Sequence, residues 1–81
     1  MVITLYTKPE CSLCDDVRDV INEVRRRIPF ELEIRNILDD LATYEKYKHD
    51  IPVILLDGQE IGRHRLTEEA LEFALSSGRL Q

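Results

Sequence analysis

The chain has 81 residues, of which 43% are hydrophobic and 33% are charged, a composition typical of one small globular domain. Its net charge of −5 argues against nucleic acid as a partner, because phosphate binding requires a basic surface. No apolar run approaches the roughly twenty residues that cross a bilayer, so we predict no membrane partner and a single domain over residues 1–81.

The first predicted elements are a strand and a long amphipathic helix. Residues 2–6 are apolar on both faces, which is typical of a strand in the centre of a sheet. From Ser12 onward the apolar residues recur at spacings of three and four, which predicts an α-helix of about four turns. Its apolar stripe consists of Leu13, Val17, Val20, Ile21, Val24 and Ile28. The arginines from Arg25 to Arg27 precede Pro29 and are predicted to stabilise the negative end of this helix.

A second strand and a short helix follow. Residues 30–35 alternate strictly between apolar and polar side chains, which predicts an edge strand with one solvated face. Asp39 and Asp40 are suitable N-terminal caps for a helix over residues 41–48. We expect that helix to bury the side chains of Leu41, Tyr44 and Lys48.

The last third of the chain contains a hairpin and a final helix. Residues 53–56 form a second fully apolar strand, and Asp57 with Gly58 predicts a tight turn that returns the chain into residues 59–61. Thr67 is a suitable N-cap for the final helix, which we expect to end near Gly78. The residues that this helix is predicted to bury are Ala70, Leu71, Ala74 and Leu75.

The predicted order of elements is β-α-β-α-β-β-α, without a linker or a repeat. A strand–helix–strand start favours a right-handed parallel crossover, which leads to helices on both faces of the sheet. We therefore predict an α/β fold with a four-stranded mixed sheet, in which the two fully apolar strands are central.

Cys11 and Cys14 are the only cysteines, and they lie where the first strand leads into the first helix. At a helix start, backbone N–H groups and the helix dipole favour the thiolate of Cys11. Cys14 lies about one turn further along, where it can attack a mixed disulfide on Cys11. Two cysteines so close together do not staple a secreted fold, and no leader segment is apparent, so we expect a reducing cytoplasm. The pair predicts a dithiol–disulfide oxidoreductase.

The order of elements, the Cys-x-x-Cys motif and the Ile51-Pro52 pair before the third strand resemble the thioredoxin fold. The run Y-T-K-P-E-C-S-L-C at residues 6–14 is similar to the Y-S-K-P-x-C-P-Y-C run of glutaredoxins. The resemblance covers essentially the whole chain and is greatest for small glutaredoxin-like proteins, among them dithiol donors to ribonucleotide reductase. It implies a monomer with no cofactor besides its redox-active disulfide, protein disulfides as substrates, and recycling by a thiol or a flavin-dependent reductase.

The resemblance also implies roles for individual residues. Cys11 would be the nucleophile and Cys14 the resolving thiol. Lys8 would lie beside Cys11 and favour its thiolate. Pro52 matches the cis-proline that faces the cysteine pair, and the backbone of Ile51 would pair with an extended substrate.

The chain departs from the glutaredoxin pattern between and after these residues. Ser12 and Leu13 replace Pro-Tyr between the cysteines, which should change the reduction potential. Arg65 and Leu66 stand where glutathione-binding members usually have an acidic pair. Because the carboxylate partner of the glutathione amine is then missing, we expect no glutathione recognition in the family's usual manner, and glutathione stays open only as a reductant.

The same segment contains the other predicted binding residues. Arg63 replaces a second glycine of the glutaredoxin pattern, and we predict that Arg63 or Arg65 attracts an acidic partner. Thr67 and the first N–H groups of the final helix are predicted to hold a carboxylate.

Three alternatives to an oxidoreductase need other sequence features. A closed zinc site needs four ligands, and His49 and His64 are not spaced as a zinc-finger pair, so we predict no metal. An iron–sulfur cluster shared by two chains through Cys11 and glutathione is disfavoured by the altered glutathione segment. A binding or adaptor module with a non-catalytic cysteine pair is the alternative from a different functional class.

Overall fold

A computed structural model of the chain describes residues 1–77. The elements, in chain order, are β1 (Val2–Thr7), α1 (Ser12–Arg25), β2 (Glu31–Asn36), a short 3-10 helix (Ile37–Asp39), α2 (Leu41–Tyr47), β3 (Val53–Leu56), β4 (Gln59–Arg63) and α3 (Glu68–Ser77). The predicted order is confirmed, with the 3-10 helix as an addition between β2 and α2. The predicted end of the last helix at Gly78 lies outside the described residues.

The strands form one mixed sheet in the order β2-β1-β3-β4. β1 is parallel to β2, with Ile3 opposite Leu32, and antiparallel to β3, with Leu5 opposite Ile54. β4 is antiparallel to β3. The two fully apolar strands therefore have a neighbour on each side, as predicted, and the two strands with more polar residues form the edges.

Helices cover both faces of the sheet because successive strand residues point to opposite sides. On one face, Ile3 and Ile54 belong to a buried cluster with residues of the two longer helices, namely Val17, Ile21, Val24, Leu71 and Leu75. On the other face, Val53 and Tyr6 pack with Tyr47 of α2. The rings of Tyr6 and Tyr47 are 4.9 Å apart between centroids. The predicted placement of helices on both faces is confirmed.

Asp57 and Gly58 make the tight turn between β3 and β4 that the sequence predicts. Both have positive φ angles, 48° for Asp57 and 85° for Gly58, as a two-residue hairpin of this kind requires. Asp57 also binds the start of β1. Its Oδ1 accepts a hydrogen bond from the N–H of Val2, and its own N–H donates to the carbonyl of Val2, both at 2.8 Å.

β4 is longer than predicted and contains a bulge. Ile54 is opposite Gly62 whereas Leu55 is opposite Glu60, so Ile61 is the extra residue. The side chain of Ile61 is partly buried against the larger apolar cluster. The bulge shifts the pairing of β4 with β3 by one residue, so that Arg63 lies opposite Val53.

The inward face of α1 differs from the predicted stripe at its first residue. Leu13 is 40% exposed, because the inward face of the helix begins at Cys14. The buried residues of α1 are Cys14, Val17, Ile21 and Val24. The apolar spacing thus identifies the helix, while the first residue of the predicted stripe faces solvent and the last, Ile28, lies beyond the helix end at Arg25.

Two further side chains that were predicted to be buried are exposed. Leu41 is 75% exposed, since it lies about 120° around α2 from the buried Tyr47. Ala70 is also exposed, because the inward positions of α3 are Leu71 and Leu75. In both helices the first apolar residue lies at the rim of the inward face, where no other element covers it.

The arginines at the end of α1 contact neighbouring elements. Arg25 donates from Nε to the carbonyl of Phe30 at 2.9 Å. Arg27 contacts Glu68 at 2.9 Å and Glu72 at 3.4 Å, and the hydrogen bond that Arg27 donates to Glu68 is the main cause that raises the pKa of Arg27. These contacts link the end of α1 to the residue before β2, and the segment after α1 to α3.

Asp40 caps α2 and should make the stability of the protein dependent on pH. Its Oδ2 accepts hydrogen bonds from the hydroxyl of Thr43 at 2.7 Å and from the N–H of Thr43 at 3.1 Å. These bonds, the hydroxyl bond first, lower the pKa of Asp40 below its ordinary value of 3.8. Because the pKa is lower in the folded protein, Asp40 stabilises the fold above its unfolded pKa and loses this effect as the pH falls through the folded pKa.

We therefore expect Asp40→Ala to lower the free energy of unfolding at pH 7. The difference from the wild type should narrow at a pH of about 3, below the unfolded pKa. Urea denaturation at the two pH values measures this difference. Asp40→Asn is the control, because an amide oxygen also caps a helix and should preserve most of the stability at pH 7. An unchanged difference at low pH would contradict the role of the carboxylate.

Candidate active site

The cysteine pair lies at the start of α1. Cys11 is the N-cap residue, with an extended backbone at φ −116° and ψ 103°. Its Sγ accepts a hydrogen bond from the N–H of Cys14 at 3.2 Å, and its carbonyl accepts one from the N–H of Asp15 at 3.2 Å. A sulfur atom therefore occupies the place where a Ser or Asp oxygen commonly caps a helix. The N–H groups and the helix dipole stabilise negative charge on that sulfur.

The two cysteines differ strongly in exposure. They form a disulfide, with Cα atoms 5.2 Å apart. Cys14 is 2% exposed and lies on the inward face of α1, whereas Cys11 is partly exposed. Cys11 is therefore the more accessible residue of the pair. Within residues 1–77, no group of three or more His, Cys, Asp or Glu side chains is arranged to hold a metal ion.

Residues 8–10 connect β1 to Cys11 and are exposed. Lys8 lies in this loop, three residues before Cys11 in the chain. Glu10 has a φ of 61°, in the left-handed region, which costs a residue with a side chain about 1–2 kcal/mol. A strained residue thus directly precedes the exposed cysteine, a position where functional sites often concentrate strain.

The Ile51–Pro52 segment lies at the same end of the sheet as the cysteine loop. The peptide bond between these residues is cis, and Pro52 is buried. Val53 is opposite Tyr6 in the β1–β3 pair, so Pro52 lies beside the end of β1 from which residues 8–10 lead to Cys11. The carbonyl of Pro52 accepts a hydrogen bond from the N–H of His64 at 2.7 Å.

Arg63 contacts two carboxylates of its own chain. Its Nε and Nη2 donate to Glu60 at 2.8 and 2.7 Å, and its Nη1 lies 3.2 Å from Oδ2 of Asp50. The hydrogen bond between Arg63 and Glu60 raises the pKa of Arg63 and lowers that of Glu60. His64 contacts the same Asp50, with Nε2 3.4 Å from Oδ1. Whereas Arg63 was assigned from the sequence to an external acidic partner, the carboxylates that it contacts are intramolecular.

Arg65 and Thr67 line a surface groove of about 230 Å³ between α1 and the loop that joins β4 to α3. The other residues that line it are Leu13, Asp16, Val17, Val20, His64 and Leu66. Thr67 caps α3, because its Oγ1 accepts a hydrogen bond from the N–H of Ala70 at 3.0 Å. The structure thus brings two of the predicted binding residues together beside the first turns of α1. It adds Leu13 to them, which sequence analysis had assigned to the core.

Solved structures identify the class of this architecture. Target protein XcR50 from X. campestris superposes with a TM-score of 0.78 at 25% identity, covering 93% of this chain and 96% of that one. Thioredoxin 1 from Thermosipho africanus TCF52B superposes with a TM-score of 0.64 at 17% identity, covering 98% and 99%. The chain therefore has the thioredoxin fold, as the resemblance in its sequence implies.

Sequence comparison narrows this class to a family. Residues 2–76 match the model of the Glutaredoxin-like domain (DUF836). The "Glutaredoxin-like protein YDR286C homolog" of Dictyostelium discoideum is 31% identical over 81 residues, covering 93% of this chain and 75% of that protein. The chain belongs to the glutaredoxin-like domain family, and its Cys11–Cys14 pair supports a role in thiol redox chemistry. None of the helices in residues 1–77 has the length and apolar character of a membrane span.

Proposed function

We propose that this protein is a dithiol–disulfide oxidoreductase, which reduces disulfides of proteins or small molecules through Cys11 and Cys14. The observation that carries this proposal is the asymmetry of the pair. Cys11 is a partly exposed residue whose sulfur caps a helix, while Cys14 is buried one turn further along the same helix. A structural disulfide would need no such difference, whereas thiol–disulfide exchange uses one sulfur to attack and the other to resolve.

The reaction begins with the reduced protein. The Cys11 thiolate attacks one sulfur of a substrate disulfide, a Cys11–substrate disulfide forms, and the other substrate sulfur leaves as a thiolate. The Cys14 thiolate then attacks Cys11 and releases the second substrate sulfur as a thiolate. Two electrons have passed to the substrate, and the Cys11–Cys14 disulfide remains. The second step is fast because both sulfurs belong to one helix turn.

The surrounding residues receive roles in binding the substrate. The loop charge of Lys8 favours the thiolate of Cys11. The backbone of Ile51, next to the buried Pro52, pairs with an extended substrate segment in β fashion. Arg65 and Thr67 receive a neighbouring part of the substrate in the groove beside α1. Arg63 contacts Asp50 and Glu60 of the same chain, so its proposed role is to hold neighbouring residues in place and not to bind the substrate directly.

The proposed oxidoreductase needs no cofactor other than its redox-active disulfide. A small thiol such as glutathione, or a flavin-dependent reductase, reduces the Cys11–Cys14 disulfide after each cycle. The protein acts as a monomer, since one chain contains both cysteines, and it works in the reducing environment of a cytoplasm.

An assay of disulfide reduction with separate recycling systems tests the proposed function. Insulin serves as the substrate, and NADPH consumption is followed either with thioredoxin reductase or with glutathione and glutathione reductase. We expect turnover with thioredoxin reductase. Turnover only with glutathione would contradict the inference that the segment around Arg65 disfavours glutathione. The absence of turnover in both systems would contradict the oxidoreductase and favour the adaptor alternative.

A further inference from the structure

The carboxylate of Asp50 connects two loops near the candidate active site. Asp50 directly precedes the Ile51–Pro52 segment, and its N–H donates to the carbonyl of Tyr47 at 2.8 Å, at the end of α2. Its two oxygens contact different residues at the end of β4, with Oδ2 3.2 Å from Arg63 and Oδ1 3.4 Å from His64. We call these two contacts of Asp50 with Arg63 and His64 the Asp50 bridge.

The backbone supports the same connection. His64 has a φ of 71°, a left-handed conformation that reverses the chain just after β4. In this conformation its N–H donates to the carbonyl of Pro52 at 2.7 Å, while its side chain reaches Asp50. The loop before β3 and the loop after β4 are therefore held together on both sides of Ile51. Pro52 itself lies beside the end of β1 that leads to Cys11.

We propose that Asp50 is a positioning residue for thiol–disulfide exchange, because its bridge to Arg63 and His64 holds the Ile51–Pro52 segment in place for the substrate. This inference rests on the proposed function, in which the backbone of Ile51 binds the substrate. Loss of the bridge lets the segment move relative to Cys11, and a small misplacement of a bound substrate is enough to slow a reaction.

Glu60 offers a matched comparison on the same guanidinium. The Glu60 carboxylate binds Arg63 more closely than Asp50 does, at 2.7 and 2.8 Å. Glu60 and Arg63, however, both belong to β4, so their contact does not connect two loops. The two carboxylate side chains are also similarly exposed, at 33% for Asp50 and 37% for Glu60. Removing the Glu60 charge therefore weakens an ion pair of Arg63 without separating the two loops.

Kinetics of three variants test the inference. Asp50→Asn should lower kcat/KM for insulin disulfides about tenfold, mainly through a lower kcat, because the bound substrate is misplaced. Glu60→Gln should stay within about twofold of the wild type, as expected for an exposed ion pair. Asp50→Glu, which keeps a carboxylate, should recover part of the loss. Thermal unfolding of all variants shows whether a lower kcat/KM is accompanied by a lower stability of the fold. Equal kcat/KM for Asp50→Asn and Glu60→Gln would overturn the inference.

Amide hydrogen exchange of the oxidised protein provides a measurement that needs no turnover. The N–H of His64, which donates to Pro52, should exchange faster in Asp50→Asn than in Glu60→Gln. Equal exchange rates in the two variants would overturn the bridge even if the wild type is active. If the wild type shows no turnover, the proposed oxidoreductase fails, and the exchange rates alone decide whether Asp50 holds the two loops together.

Discussion

Cys14→Ser is expected to trap the protein in a mixed disulfide with its substrate, whereas Cys11→Ser is expected to lose at least about a hundredfold in turnover. In Cys14→Ser the exposed sulfur of Cys11 can still attack, but the resolving thiol is missing. In Cys11→Ser the one remaining cysteine, Cys14, is 2% exposed, so its sulfur is not expected to reach an external disulfide. Mass spectrometry of the variants after exposure to cell extract measures the trapped species.

The two serine variants serve as controls for each other, because each removes one sulfur atom from the same helix turn. Trapping in Cys11→Ser instead of Cys14→Ser would contradict the assignment of nucleophile and resolving thiol. Trapping in neither variant would contradict thiol–disulfide exchange with macromolecular disulfides. An adaptor would instead retain its partner in both variants, since its binding would not depend on a covalent bond.

Ile54→Ala is expected to lower the free energy of unfolding by about 3–4 kcal/mol, as is typical of a fully buried isoleucine. Ile54 lies in the central strand β3, is 0% exposed, and packs in the cluster between the sheet and the two longer helices. In a domain of this size such a loss is a large part of the whole stability, which is about 5–10 kcal/mol for small domains. Urea denaturation of Ile54→Ala and of the wild type at one pH measures the effect.

Ile34→Ala is the control for this prediction. Ile34 is also an isoleucine in a strand of the same sheet, but it lies at the edge and is 50% exposed. Its truncation should change the free energy of unfolding by less than about 1 kcal/mol. Similar losses for Ile34→Ala and Ile54→Ala would show that the packing of the central strand does not decide the stability.

The parts of the fold that depend on local sequence were predictable. Residues 2–6 and 53–56 are apolar on both faces, and only a central strand can bury both of its faces. Asp57 and Gly58 tolerate the positive φ angles of the hairpin, so the turn could be placed to the residue. The position of Cys11 at the helix start follows from the change of periodicity after the first strand.

Features that depend on contacts between distant residues were not predictable. Leu41 in α2 and Ala70 in α3 each fit the apolar spacing of their own helix. Whether a residue at the edge of such an apolar face is covered depends on the neighbouring elements, and both residues are exposed. The contact of Arg63 with Asp50 depends on the bulge at Ile61, which shifts the end of β4 relative to β3. Nothing in the sequence indicates the bulge at Ile61. For this reason the sequence predicts a partner-binding role for Arg63, although its contacts lie within its own chain.

At the start of α1, the sulfur of the more exposed cysteine is also the helix cap. A thiolate accepts a hydrogen bond more strongly than a disulfide sulfur, so the first turn of α1 is best satisfied when Cys11 is reduced. We therefore expect oxidation to weaken the start of a helix whose inward face packs against the sheet, and reduction to restore it. The stability of this helix end and the reduction potential are therefore coupled. Any change that strengthens the cap favours the dithiol and makes the disulfide a stronger oxidant.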